Sequence, residues 1–185
     1  MSESSFEERH NEWQKFMAAI RDQTQLGEVL IVSAYLDEQL MRMLQWFMVE
    51  GRVTSDLISG PSSPLGSFSG KIHLAYALGL IDEEEQRSLH AIRKVRNEFA
   101  HNISTTFKED KVRGKLEALL WSVGSDKLGK LDGHELFFIG SQRLVMRLLN
   151  RADHVKLERR QAKVWPSERT DFDYDPDYDP KDYLY

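Results

Sequence analysis

The run Ile92-Arg93-Lys94-Val95-Arg96-Asn97-Glu98-Phe99-Ala100-His101 places an arginine, an asparagine and a histidine close together. Arginine can clamp a phosphate through paired donors, and histidine is the natural proton shuttle near neutral pH. Asn97 and His101 are four positions apart, one helical turn, so the amide can orient the imidazole. Arg96 and His101 are five apart and diverge by about 140° on a regular helix. They converge only if His101 lies past a frayed helix end or if two subunits share the site.

The same spacing supports a second use of these residues. At about 100° per residue, Leu89, Ile92, Val95 and Phe99 share one face, and Arg96 falls between Leu89 and Ile92. His90, Asn97 and His101 cluster on an adjacent, more polar face, with Arg93 between the two. An inward guanidinium keeps its proton and needs acceptors. One solution is a buried pair with an internal carboxylate such as Glu38, with Asn97 and His101 satisfying the helix end. The other is a groove shared with another helix or subunit.

No other cluster competes with this one. His10, His73, His90, His134 and His154 are scattered without metal-ligand spacing, and no cysteine exists to hold a metal or act as a nucleophile. No cofactor or metal is expected. Gly66-Ser67-Phe68-Ser69-Gly70-Lys71 has the wrong spacing for a phosphate loop and reads as a turn and N-cap. Ser67 and Ser69 have no histidine partner in the sequence. His90 and Glu98 flank the trio, with solvated surface positions as their expected places.

These residues must be positioned by helices. Phe6, Trp13, Phe16, Met17 and Ile20 predict a first helix over residues 4–21. The most apolar segment, residues 26–50, predicts a long second helix that is central or lies in a dimer interface. Asp37 and Glu38 sit in its middle, Asp37 on the solvated face. Residues 51–70 contain serines, glycines and prolines and read as a loop. A third helix is expected from Phe68 to about Leu78, stopping near Gly79. Asp82 and Glu85 form a capping-box pattern that starts a fourth helix, ending near Ala100.

A fifth helix is expected over about 109–122, through Val112, Leu116 and Leu119. "ELFFIG", residues 135–140, reads as a short strand or extended turn, with a last helix from about Ser141 that continues toward Arg160. The basic run Arg151, Lys156, Arg159, Arg160 and Lys163 reads as a solvated helix face. The fold expectation is an all-α compact bundle of five to six helices over residues 1–164. Residues 165–185, with their Tyr-Asp-Pro repeat, read as an acidic disordered tail.

Two resemblances bear on the trio. Arg96-Asn97-x-x-x-His101 is similar to the Arg-x(4–6)-His motif of HEPN domains, small helical domains that often dimerise. "SPLGSFSGKIHLAYALGLIDEEEQRSLHAIRKVRNEFAH", Ser63 to His101, resembles the central block of the mannitol operon repressor (MltR-like) family. With the preceding apolar helix that similarity spans roughly residues 25–120. The MltR-like resemblance implies an all-helical, self-associating regulator of transcription that acts through a protein partner. The HEPN resemblance implies a metal-independent, toxin-like ribonuclease. In that case Arg96 would stabilise phosphate charge, His101 would transfer the proton and Asn97 would position the site.

Composition bears on the choice of partner. The chain has 25 lysines and arginines against 30 acids, a formal charge of −5. It lacks the broad basic field that supports nonspecific nucleic-acid binding, so duplex DNA is an unexpected direct partner. No apolar run approaches the ~20 residues that span a bilayer, and no signal-peptide pattern opens the chain. A cytoplasmic protein is expected, with a second copy, a protein partner or RNA as its binding candidates.

Overall fold

A computed structural model describes residues 3–58, 63–122 and 131–163 of the 185-residue chain. Among these residues seven α-helices follow in chain order: α1 Glu3–Ile20, α2 Gln25–Phe47, α3 Arg52–Ile58, α4 Phe68–Ala77, α5 Glu83–His101, α6 Asp110–Leu116 and α7 Gly133–Leu157. A 3₁₀ segment, Glu117–Ser122, continues α6. Among the described residues there is no strand, and no helix is long and apolar enough to cross a membrane. The expected tail, 165–185, lies outside the described residues.

Helix α2 is the centre of the bundle and packs against α1, α3, α4, α5 and α7. Its inward residues Val32, Leu36, Leu40 and Met43 are fully buried, and α5 adds Leu89, Ile92 and Val95 to the same core. The apolar breadth of α2 is thus covered within one chain, because helices pack on several of its sides at once. Burial of this area is the main favourable term that holds the bundle together.

Local chemistry fixes where the helices begin and end. The Asp82 carboxylate accepts from the Glu85 amide at 2.8 Å, and the Glu85 carboxylate accepts from the Asp82 amide at 3.0 Å. This is the capping box expected from sequence. Helix α4 starts at Ser67, whose hydroxyl accepts from the Gly70 amide at 3.0 Å. It ends where Gly79 takes φ +71°, a conformation that costs glycine little, and Leu80 N–H reaches back to the Ala75 carbonyl at 2.8 Å.

Three expectations are corrected. Residues 52–58, read as loop, form α3, which buries Ile58 in the core. "ELFFIG" is helical, because α7 begins at Gly133 under a second capping box. There Asp132 accepts from Glu135 N–H at 2.9 Å, and Glu135 accepts from Asp132 N–H at 2.9 Å. The aromatic run looked strand-like, yet it supplies Leu136 and Phe137 to the core at helical spacing.

The basic run is the third correction, since it is not simply a solvated face. Arg151 binds Glu85, Lys156 Nζ lies 4.0 Å over the Trp46 ring, and Arg159 Nε donates to the Trp46 carbonyl at 3.2 Å. Arg160 N–H donates to the Phe47 carbonyl at 2.7 Å. Carbonyls at a helix C-terminus lack intrahelical donors and carry partial negative charge, so the end of α2 attracts this segment.

Candidate functional site

The second half of α5, the middle of α2 and the first turn of α4 enclose a cleft of about 680 Å³. Helix α5 contributes Arg93, Arg96 and Asn97; α2 contributes Leu30, Ser33, Ala34 and Asp37. The turn Gly66-Ser67-Phe68-Ser69 closes the remaining side. The amides of Phe68 and Ser69 lie in the first turn of α4, where no intrahelical acceptor exists.

Arg96 is exposed at the rim of this cleft, so of the two arrangements its spacing allows, the groove and not the buried pair is formed. Its Nη1 lies 3.4 Å from Asn97 Oδ1, a long contact. Glu38 is not its partner, because the Glu38 carboxylate is held by Arg42 at 2.8 Å on the α2 surface. A helical wheel gives a direction but not how far the neighbouring helices extend. At the height of Arg96 the space toward α2 is cleft.

Arg93 is half-buried in the same wall, and its Nε has neither solvent contact nor a protein acceptor. Among the described residues neither Arg93 nor Arg96 forms an ion pair with a carboxylate. Asp37 is the one acid on the lining, and it is neutralised from behind. Lys71, 5% exposed at its side chain, points Nζ at both Asp37 oxygens, 2.7 and 2.8 Å away. Asp37, expected on the solvated face, is instead the counter-ion of a buried lysine. The cleft therefore carries a net charge of about two positives.

His101 does not join this group. Helix α5 remains regular through His101, and the Asn102 amide still donates to the Glu98 carbonyl at 3.2 Å. His101 is exposed at the helix end and outside the cleft lining. Within one chain the structure brings Arg96 and Asn97 together and leaves His101 apart.

The flanking residues face elsewhere. His90 packs against His73 with ring centroids 4.9 Å apart. Burial, then the charges of His73, Arg93 and Lys94, push its imidazole below the ordinary histidine value. Glu98 accepts from Lys115 at 3.1 Å and from Lys111 at 3.3 Å across to α6, and these bonds hold its carboxyl below the usual range.

Arg93, Lys71 and the open amides of the Ser67 turn did not stand out in the sequence as site residues. The available signals were a lysine set in the apolar stretch "KIHLAYALGL" and a second arginine three positions before Arg96.

No family model matches the chain, and no curated protein does. Among solved structures it is similar to a chain of the MtlR–HPr complex from Escherichia coli, with a TM-score of 0.54 and 18% identity. The match covers 80% of this chain and 98% of that one. At this identity the likeness speaks for the fold, and the bundle described here is an MtlR-like fold.

Proposed function

We propose that this protein is a regulatory interaction protein that works through a protein partner and does not itself read duplex DNA. The observation that carries the reading is the MtlR-like fold, which spans almost the whole of a chain solved in the MtlR–HPr complex. The cleft supports it: Arg96 and Asn97 stand open at its rim, with no internal acid holding the guanidinium. Such groups suit an acidic or hydrogen-bonding surface on a partner. The net charge of −5 argues against a broad DNA contact. The reading includes a cytoplasmic homodimer and a single bundle domain over residues 1–164.

Calorimetric titration with HPr from the same source organism tests it. Binding is expected, weakened about tenfold or more by Arg96→Glu, in line with the loss of a charge-assisted contact. A folded parent protein that gives no binding signal with HPr would remove HPr as the partner, and saturable binding of duplex DNA instead would overturn the reading.

A second reading, a HEPN-type metal-independent ribonuclease, draws on Arg96 and Asn97 sharing an open cleft. Because His101 diverges from Arg96 on a regular helix, the proton-transfer group would have to come from a second copy. Labelled single-stranded RNA in EDTA is the assay. Cleavage that disappears in both Arg96→Ala and His101→Ala, and returns when the two variants are mixed, is the expected signature. No cleavage by the parent dimer removes this reading.

A further inference from the structure

We propose that the cleft between α2, α4 and α5 is a binding site for a phosphate monoester, with the phosphoryl oxygens set between Arg93 and Arg96. The inference does not rest on a protein docking at the rim, since it is argued from the charge and donors of the cleft, with Arg96 at its rim and Arg93 half-buried in its wall.

Charge is the first support. Arg93 and Arg96 both line the cleft, and neither is spent on a carboxylate among the described residues. A lone acid on the opposite wall would repel an anion. Asp37 is that acid, and buried Lys71 removes its charge by binding both of its oxygens. The lysine is placed so that the arginines set the sign of the field.

Donor count is the second. Two guanidinium forks supply more N–H groups than one carboxylate can accept, whereas a phosphoryl group offers three oxygens and up to two negative charges. The Arg93 Nε has no acceptor inside the protein, so no internal acid or carbonyl claims that edge of the guanidinium. Asn97 presents its amide to Arg96 through the carbonyl oxygen, which leaves its NH₂ as a further donor. The first turn of α4 adds the Phe68 and Ser69 amides at the positive end of the helix dipole.

Size and wall chemistry are the third. A cleft of about 680 Å³ falls within the roughly 300–1,000 Å³ of small-molecule pockets and exceeds what a bare ion fills. Leu30, Ala34 and Phe68 supply an apolar wall beside the arginines. The phosphoryl group is therefore carried on a small organic body, which packs on that wall.

The experiment is calorimetry at constant ionic strength, with inorganic phosphate, phenyl phosphate and a phosphoserine hexapeptide as separate probes. Amide NMR of Phe68 and Ser69 gives a local readout. Saturable binding of phenyl phosphate is expected, tighter than inorganic phosphate, with both amides shifting. Arg96→Gln, at an exposed position, should weaken binding about tenfold or more without unfolding the bundle. Arg93→Gln should do the same, and Arg93→Lys should recover part of the affinity. Tighter binding of the hexapeptide would keep the phosphoryl site and assign its source to a phosphorylated protein. No saturable binding of any probe, or equal binding by Arg96→Gln, would overturn the proposal.

Discussion

The carboxylate of Glu85 has no exposed surface, and Arg151 grips it with both terminal nitrogens, 2.6 and 2.7 Å away. The same guanidinium donates to the Leu80 carbonyl at 2.9 Å, and Glu85 also accepts from the Asp82 amide. One carboxylate thus closes the start of α5 and ties it to α7. These bonds to Glu85 raise the Arg151 pKa above its already high ordinary value, against the opposing effect of burial.

Removing the arginine leaves a buried carboxylate with reduced compensation. Arg151→Met should therefore cost about 3 kcal/mol, the low end for breaking a buried pair, because Arg147 stands 3.4 Å from Glu85. Urea denaturation measures it, and a loss below about 1 kcal/mol would show that the pair is not a structural anchor.

Lys71 and Asp37 make an asymmetric pair, since the lysine side chain is 5% exposed and the aspartate 32%. Asp37→Ala strands a buried ammonium and should cost about 3 kcal/mol. Lys71→Met leaves only a partly solvated carboxylate and a well-packed chain, so the cost should be nearer 1 kcal/mol. Equal losses in the two variants would contradict this order.

Two helical glycines should respond to alanine with opposite signs. A Cβ at Gly133 would sit 2.3 Å from the Phe107 carbonyl oxygen, so backbone must move and about 1–3 kcal/mol is lost. A Cβ at Gly114 in α6 meets nothing within 4 Å, and Gly114→Ala should gain about 0.5–1 kcal/mol from helix propensity. Thermal melts of both variants check the pair together.

His90 should make stability fall on mild acidification. Its folded pKa is lowered from the ordinary 6.5, so below that pH the unfolded chain takes up a proton that the folded chain refuses. The contribution is fully present above the unfolded value and is lost as the pH falls through the folded one. Stability followed by urea from pH 7.5 to 5 should slope less in His90→Gln than in the parent. An NMR titration of the imidazole that gave a midpoint at or above 6.5 would contradict the sign.

How much was legible beforehand differs between neighbouring features. The Asp82–Glu85 capping box is legible in the sequence and starts α5, because a cap depends on residues three positions apart. Asp132–Glu135 carries the same pattern, but the aromatic run after it resembles a strand and masks the helix start. Helix α2 was recognised from its apolar stripe, but whether a dimer or its own chain covered it required the packing of five other helices.

By itself the sequence determined the helical class, the broad apolar stripe of α2 and the polar character of the Arg96–Asn97 segment. These follow from periodicity and caps, which act over a few residues and survive any arrangement of the helices. Only the tertiary structure decided the long-range charges: Lys71 for Asp37, Arg151 for Glu85 and, among the described residues, no acid for Arg93 or Arg96. Most such pairings join residues tens of positions apart, and an ion pair depends on distances of a few ångströms that only packing sets. The cleft exists for the same reason: it is the space left where α4 meets α2 and α5.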